Sequence, residues 1–257
     1  MTDVSTAARV RPHRRIRRIA ATASAAIALT LVPTVGTAGA ITFTDPNDRC
    51  LPGADAPPAP VSDRNRIDPV HVQSVDCTFA EGISTGLSNG AFDPTGMTSR
   101  GQMASFIARA LDAAGYDLPA PGNGFSDTAG TTHEDAIRRL RAAGIVAGRT
   151  DGTYGPTVTV PRDQMATFLV QAAEWALGQR SGSTDGVGDL LSPSAPAFVD
   201  VLPVNVHYDN VNTAAQVLGL ADGKTPTTYN PGNPVQRQQM ASFLVRLVDL
   251  LLLPPQA

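Results

Sequence analysis

One pattern of residues occurs three times along this chain, and it limits the possible folds more than any other feature. The stretches GISTGLSNGAFDPTGMTSRGQMASFIARAL, GIVAGRTDGTYGPTVTVPRDQMATFLVQAA and GLADGKTPTTYNPGNPVQRQQMASFLVRLV begin at Gly82, Gly144 and Gly219 and align without a gap. Gly86, Gly148 and Gly223 share one position, and Phe92, Tyr154 and Tyr229 another. Arg100, Arg162 and Arg237 recur in register, followed by Gln102, Gln164 and Gln239, then Met103, Met165 and Met240, then Phe106, Phe168 and Phe243. Such repetition marks one supersecondary unit copied along the chain, each copy needing its neighbours to cover its apolar side.

An upstream half accompanies each stretch. Phe125-Ser126-Asp127 precedes His133 and the apolar positions Ile137, Leu140 and Ala143. Phe198-Val199-Asp200 precedes His207, with two extra residues before the shared glycine. Phe43-Thr44-Asp45 opens the first copy, and a Pro-rich insertion carrying both cysteines separates it from His71. Apolar spacings of three and four over residues 133–143 predict a helix ending at Gly144, where glycine suits a C-terminal cap. A second helix starts near Arg162 and turns Met165, Phe168, Leu169 and Ala172 to one side. Ser99-x-x-Gln102 forms a capping box in the first copy, and Pro161 suits a first-turn position in the second. Each unit therefore reads as helix, loop, helix. A unit of about 55 residues exposes too much surface to stand alone.

The N-terminus sets a compartment. Arg11, Arg14, Arg15, Arg17 and Arg18 precede an apolar run from Ile19 to Val35, and Ala38-Gly39-Ala40 offers a cleavage site. These are the parts of a secretory signal over residues 1–40, by the Sec or twin-arginine route. Pro33 and Gly36 and the short run argue against a membrane anchor. Leu250 to Leu253 is too short to span a bilayer. Removing residues 1–40 leaves a net charge of about −8. A chain so acidic is poorly matched to nucleic acid or anionic lipid. Cys50 and Cys77 are the two cysteines, and in an exported chain an even count reads as a disulfide.

The repeated residues resemble the S-layer homology family, whose pattern is an F-x-D opening, a helix, a G-I-x-x-G turn, an aromatic-x-P loop and a second helix opened by a T-R-A-E-like motif. The resemblance covers most of residues 41–250. It implies a mainly α fold of three helix-loop-helix repeats packed as a pseudo-threefold trimer in one chain. The expected divisions are residues 41–112, 123–176 and 196–251, with a linker over 177–195. The resemblance also implies non-covalent binding of cell-wall polysaccharide in grooves between repeats, often of a polymer bearing an acidic pyruvate ketal. In place of T-R-A-E stand Ser99-Arg100-Gly101-Gln102, Pro161-Arg162-Asp163-Gln164 and Gln236-Arg237-Gln238-Gln239, so Arg is kept and Glu is Gln each time.

Arg100, Arg162 and Arg237 are the leading candidates for binding a glycan or anion. Each stands at a helix N-terminus, where free amides and the macrodipole favour an anion, and the guanidinium fork matches a carboxylate or phosphate. Against this stands a structural use, in which each Arg ties down an opening Asp (Asp45, Asp127, Asp200) or a loop carbonyl. Gly86, Gly148 and Gly223 offer a sugar bare backbone, or serve as helix-end glycines with positive φ. Tyr154, Tyr229 and Phe92 suit stacking on a sugar or packing in a core. His71, His133 and His207 occupy similar positions in the copies, unlike a single catalytic histidine, and no G-x-S-x-G nucleophile motif is present. Asn89-Gly90, Asp151-Gly152 and Asp222-Gly223 lack the ligand alternation of a calcium loop. No enzyme activity, cofactor or metal is expected. The two readings are a wall-binding module and a structural envelope protein whose repeats contact other envelope proteins.

Overall fold

The computed structural model of the protein describes residues 56–181, 193 and 195–253. The leader at residues 1–40, Asp45, Cys50 and most of the expected linker lie outside them. The regular structure described is helical: α1 Val72–Ala80, α2 Arg100–Ala113, α3 Glu134–Ala142, α4 Arg162–Ser181, α5 Tyr208–Asn212 and α6 Arg237–Leu252. Two short 3-10 turns, Arg64–Arg66 and Pro69–His71, lead into α1, and a π-turn, Thr213–Val217, continues α5. Among the described residues extended pairing is limited to isolated bridges. The mainly α expectation holds.

Local signals account for the helix limits. The Ser99 hydroxyl accepts the Gln102 amide while the Gln102 side chain accepts the Ser99 amide, closing the expected capping box at α2. In α6 the Gln239 side chain likewise accepts the Gln236 amide at 3.2 Å. A neutral glutamine oxygen thus does at this position what a glutamate oxygen would do. Glu134 and Asp135 in the first turn of α3, with Arg139 and Arg141 in its last, complement the macrodipole. Gly144, at φ +75°, closes that helix, and the Ile145 amide returns to the Leu140 carbonyl at 2.9 Å. The π-turn answers the extra residue between His207 and Gly219, since a wider turn stores one residue without shifting either helix end.

The two helices of one unit are not each other's main partners. α3 packs on α2, α5 packs on α4, and α1 packs on α6. The first helix of each unit therefore lies on the second helix of the preceding unit, with the first unit lying on the third. α2, α4 and α6 also contact one another. One apolar cluster runs through all three units and includes the fully buried Met103, Ile137, Met165, Leu169, Met240 and Leu247. The expected linker begins later than residue 177, because α4 continues to Ser181. Its last turn has a use there: Trp175 meets the Tyr116 ring edge-on, and Arg180 donates to the Tyr116 hydroxyl and to the Leu253 carbonyl.

Where α2, α4 and α6 begin, three loops meet in a closed cycle of backbone bonds. Thr98 donates to Val235, Val235 to Val160 and Val160 to Thr98, at 2.9–3.0 Å. The orphan amides of each helix start go to the next loop. Arg100 and Gly101 donate to Val158 and Pro156, Arg162 and Asp163 to Asn233 and Pro231, and Arg237 and Gln238 to Gly96 and Pro94.

Candidate functional site: the seams between units

These bonds change the reading of the three arginines. The first-turn amides expected to welcome an anion are already bound to carbonyls of the neighbouring unit. The guanidiniums are buried as well. Arg100 Nε donates to the Tyr154 carbonyl at 2.7 Å, Arg162 Nε to that of Tyr229 at 2.8 Å, and Arg237 Nε to that of Phe92 at 2.6 Å. Each lies over the same aromatic ring, 4.5–5.0 Å from its centroid. Each also lies near Phe168, Phe243 or Phe106 in turn, so the charge is held by ring faces as well as carbonyls. Burial lowers all three guanidinium pKa values from their ordinary value. Of the two structural uses open to these residues, the loop carbonyl is the one observed.

The opening aspartates act on the other side of the same peptide. Asp127 accepts the amides of Tyr154 and Gly155 at 2.9 and 2.7 Å, and Asp200 those of Tyr229 and Asn230 at 2.8 and 2.7 Å. Partial burial works against the Asp127 carboxylate, yet these amides hold it below its ordinary range. In the first unit Asp63 does this, accepting Phe92 and Asp93 at 2.7 and 2.8 Å. Sequence reading passed over Asp63 in favour of Asp45 because Val61 stands where a phenylalanine was sought. The spacing to the aromatic was the available signal, 29 residues for Asp63 against 27 and 29 for its counterparts. The ring that Phe125 and Phe198 supply comes instead from Phe79 on α1, 6.0 Å from Phe92. Phe92, Tyr154 and Tyr229 are fully buried, so they pack and are not open to stack on a sugar.

The second glycine of each pair also has a different use. Gly86 has positive φ, but Gly148 and Gly223 do not. A Cβ at Gly148 would stand 2.5 Å from the Phe125 ring, and one at Gly223 2.6 Å from the Phe198 ring. These glycines make room for the opening phenylalanine. Near the three glycine loops, Asn89 and Asp151 bind amides two residues on, and Asp222 pairs with Arg246. Among the described residues no cluster of His, Cys, Asp and Glu is arranged to hold a metal ion. No described helix is long and apolar enough to cross a membrane.

Each seam carries one histidine bound to a hydroxyl of the preceding unit. His133 Nδ1 lies 2.8 Å from Ser105 Oγ, His207 Nδ1 2.9 Å from Thr167 Oγ1, and His71 Nδ1 2.8 Å from Ser242 Oγ. The hydroxyls had a signal in sequence, the recurring Met-Ala-Ser/Thr-Phe, but were not singled out. Two seams open into cavities. A groove of about 440 Å³ between the third and first units is lined by His71, Arg162, Asp222, Lys224, Ser242 and Arg246, among others. A smaller one, about 340 Å³, brings together Arg100, Arg149, Gln164 and residues of the second and third loops.

Residues 124–166, from the opening of the second unit to its second helix, match the S-layer homology domain. The second unit is thus an S-layer homology domain. Longer matches join it to an endoglucanase of Bacillus sp. (strain KSM-635), 26% identical over 66% of this chain. The surface-layer 125 kDa protein of Lysinibacillus sphaericus is 29% identical over 74%, and an S-layer protein of Bacillus thuringiensis subsp. finitimus is 25% identical over 68%. The chain spans only 17%, 15% and 20% of those relatives' lengths. The matched domain and the S-layer relatives together indicate a protein of the cell surface or cell wall.

Proposed function

We propose that this chain is held on the cell wall, without a covalent bond, by an acidic wall glycan seated in the seam between its third and first units. The charge of that groove carries the reading. Lys224, Arg246 and Arg162 face it against the carboxylate of Asp222, in a chain whose net charge beyond residue 40 is about −8. A local field of opposite sign to the rest of the molecule is what would draw an anionic polymer to one place. A polymer bearing pyruvate ketals belongs to this chemical class. The reading takes the three units as three S-layer homology repeats closed into a pseudo-threefold ring, with the cyclic loop bonds and shared helix pairing in support. Its first repeat opens at Asp63. Export with cleavage after Ala40 and a Cys50–Cys77 bridge complete it. Its role is binding, not catalysis.

Two neighbouring units supply the substitutions that test it. Lys224→Leu installs the residue of the first unit at this position, Leu87, and Arg246→Gln that of the second, Gln171. Each is expected to weaken binding to protein-stripped walls about tenfold or more, the effect of losing a charge-assisted contact. Binding by the unaltered chain should weaken with salt. Unchanged binding by the folded double variant would overturn the groove.

A second reading, an envelope protein whose repeats contact other proteins, draws on one observation. Val199, Leu202, Val204 and Val206 are 58–87% exposed on the loop leading to α5. Wall binding lost with retained binding to surface proteins would favour it.

A further inference from the structure

The three seam histidines recur with the units, yet their charged surroundings differ. His133 faces Arg109, and His207 faces Asp163. His71 lines the larger groove, with its Nδ1 on Ser242 of α6 and its ring beside Asp68 of its own turn. Across from it stand Arg246 of α6, Lys224 and Asp222 of the third loop, and Arg162 of α4. Asp222 is already engaged by Arg246. Asp68 donates its amide to the Gln238 side chain at 2.9 Å, which fixes the turn that carries His71.

We propose that this groove is a proton-coupled anion site, in which His71 takes up a proton as the anion enters. The inference rests on the acidic-glycan reading of the groove. With the groove vacant, protonation of His71 is opposed by its burial and by the two cations Arg246 and Lys224, while Asp68 favours it. An anion seated among Lys224, Arg246 and Arg162 cancels the repulsion and leaves the imidazolium a partner. The neutral ring can either accept the Ser242 proton or donate to its oxygen; the charged ring donates from Nδ1 to Ser242 Oγ and presents a second N–H. Because coupling is reciprocal, the anion that raises the proton affinity of His71 is itself bound more tightly when His71 is charged. The third unit's lysine and the first unit's histidine thus act as one receptor across a seam.

The test measures binding of the purified chain to protein-stripped walls at pH 7.5 and pH 5.5, at constant ionic strength. The unaltered chain should bind up to about tenfold tighter at the lower pH, the effect of a one-unit shift in a single group. His71→Gln keeps a group able to bond Ser242 but cannot charge, and its binding should not change between the two. His133→Gln and His207→Gln should keep the full response. The same response in folded His71→Gln, or none in the unaltered chain, overturns the coupling while leaving the groove reading intact. Loss of the Lys224→Leu effect at both pH values overturns the groove reading and the coupling together. Should His71→Gln fail to fold, the His71 ring resonance supplies the answer: soluble wall polysaccharide should move its titration to higher pH, and an unmoved titration rejects the coupling.

Discussion

A buried arginine that donates to a carbonyl and not to a carboxylate carries its charge for geometric reasons. Arg237 is 5% exposed, gives Nε to the Phe92 carbonyl and lies between the Phe92 and Phe106 rings. Phe92 thereby has both its backbone amide and its carbonyl held, by Asp63 from its own unit and by Arg237 from the third. The guanidinium suits this because its planar fork can bond at the edge while its face stacks. Arg237→Ala should therefore lower stability by about 1–3 kcal/mol for the orphaned carbonyl alone, with lost packing on the two rings in addition. Thermal melting checks this, and Arg237→Lys should recover little, because an ammonium cannot stack and fork in one place. A melting temperature equal to that of the unaltered chain would show that Arg237 does not hold the loop. The recurrence of these arginines was plain in the sequence, but their partners were not. Local pattern gives the position of a side chain on its helix, whereas the carbonyl it meets belongs to a loop 145 residues away.

Helix limits were the most legible feature, because caps and glycine stops act within a few residues of themselves. The helix over 133–143 and the one starting at Arg162 stand where apolar spacing and capping predict them. Pairing was not legible, since an apolar stripe says that a face is covered without saying by which element. α3 could have met α4 but meets α2. The third unit shows how much slack an element has. Its first helix carries one more residue between the histidine and the shared glycine than its counterparts do, and the π-turn Thr213–Val217 absorbs it. Deleting Ala215, inside that turn, should let the helix run on with ordinary i→i+4 bonds between ends that stay put. Deleting Ala136 from α3 should instead rotate Ile137 and Leu140, both fully buried, relative to His133. The first deletion is expected to shift the melting temperature by a few degrees, and the second to unfold the chain. Equal damage from both would mean that the π-turn is not where the extra residue is stored.

At the scale of the molecule, one seam chemistry used three times makes stability a collective property. Each seam holds a histidine whose burial favours the neutral ring, so the folded-state pKa of His71, His133 and His207 lies below its ordinary value. The sign follows from that direction. The stabilisation is complete above the unfolded value of about 6.5 and is lost as pH falls from there through the lower folded values. A second loss waits at lower pH, where Asp63 and Asp127 lie below their ordinary range; the amides they accept overcome the opposing effect of burial. Their stabilisation is present above about 3.9 and declines as pH falls through their folded values. Circular dichroism melts between pH 8 and 3 should therefore show a midpoint that is flat above about pH 6.5, falls below it, and falls again in the carboxylate range. Because a single apolar cluster joins all three units, the transition should stay single at each pH at which the chain is folded. The triple variant His71→Gln, His133→Gln, His207→Gln should lose the first decline and keep the second. A midpoint unchanged between pH 7.5 and 5 in the unaltered chain would mean that the seams do not select the neutral rings. Two separated transitions would mean that the units melt apart, which the pairing of α1 with α6 across the whole length of the described chain makes physically expensive: neither helix face can be uncovered without baring the other.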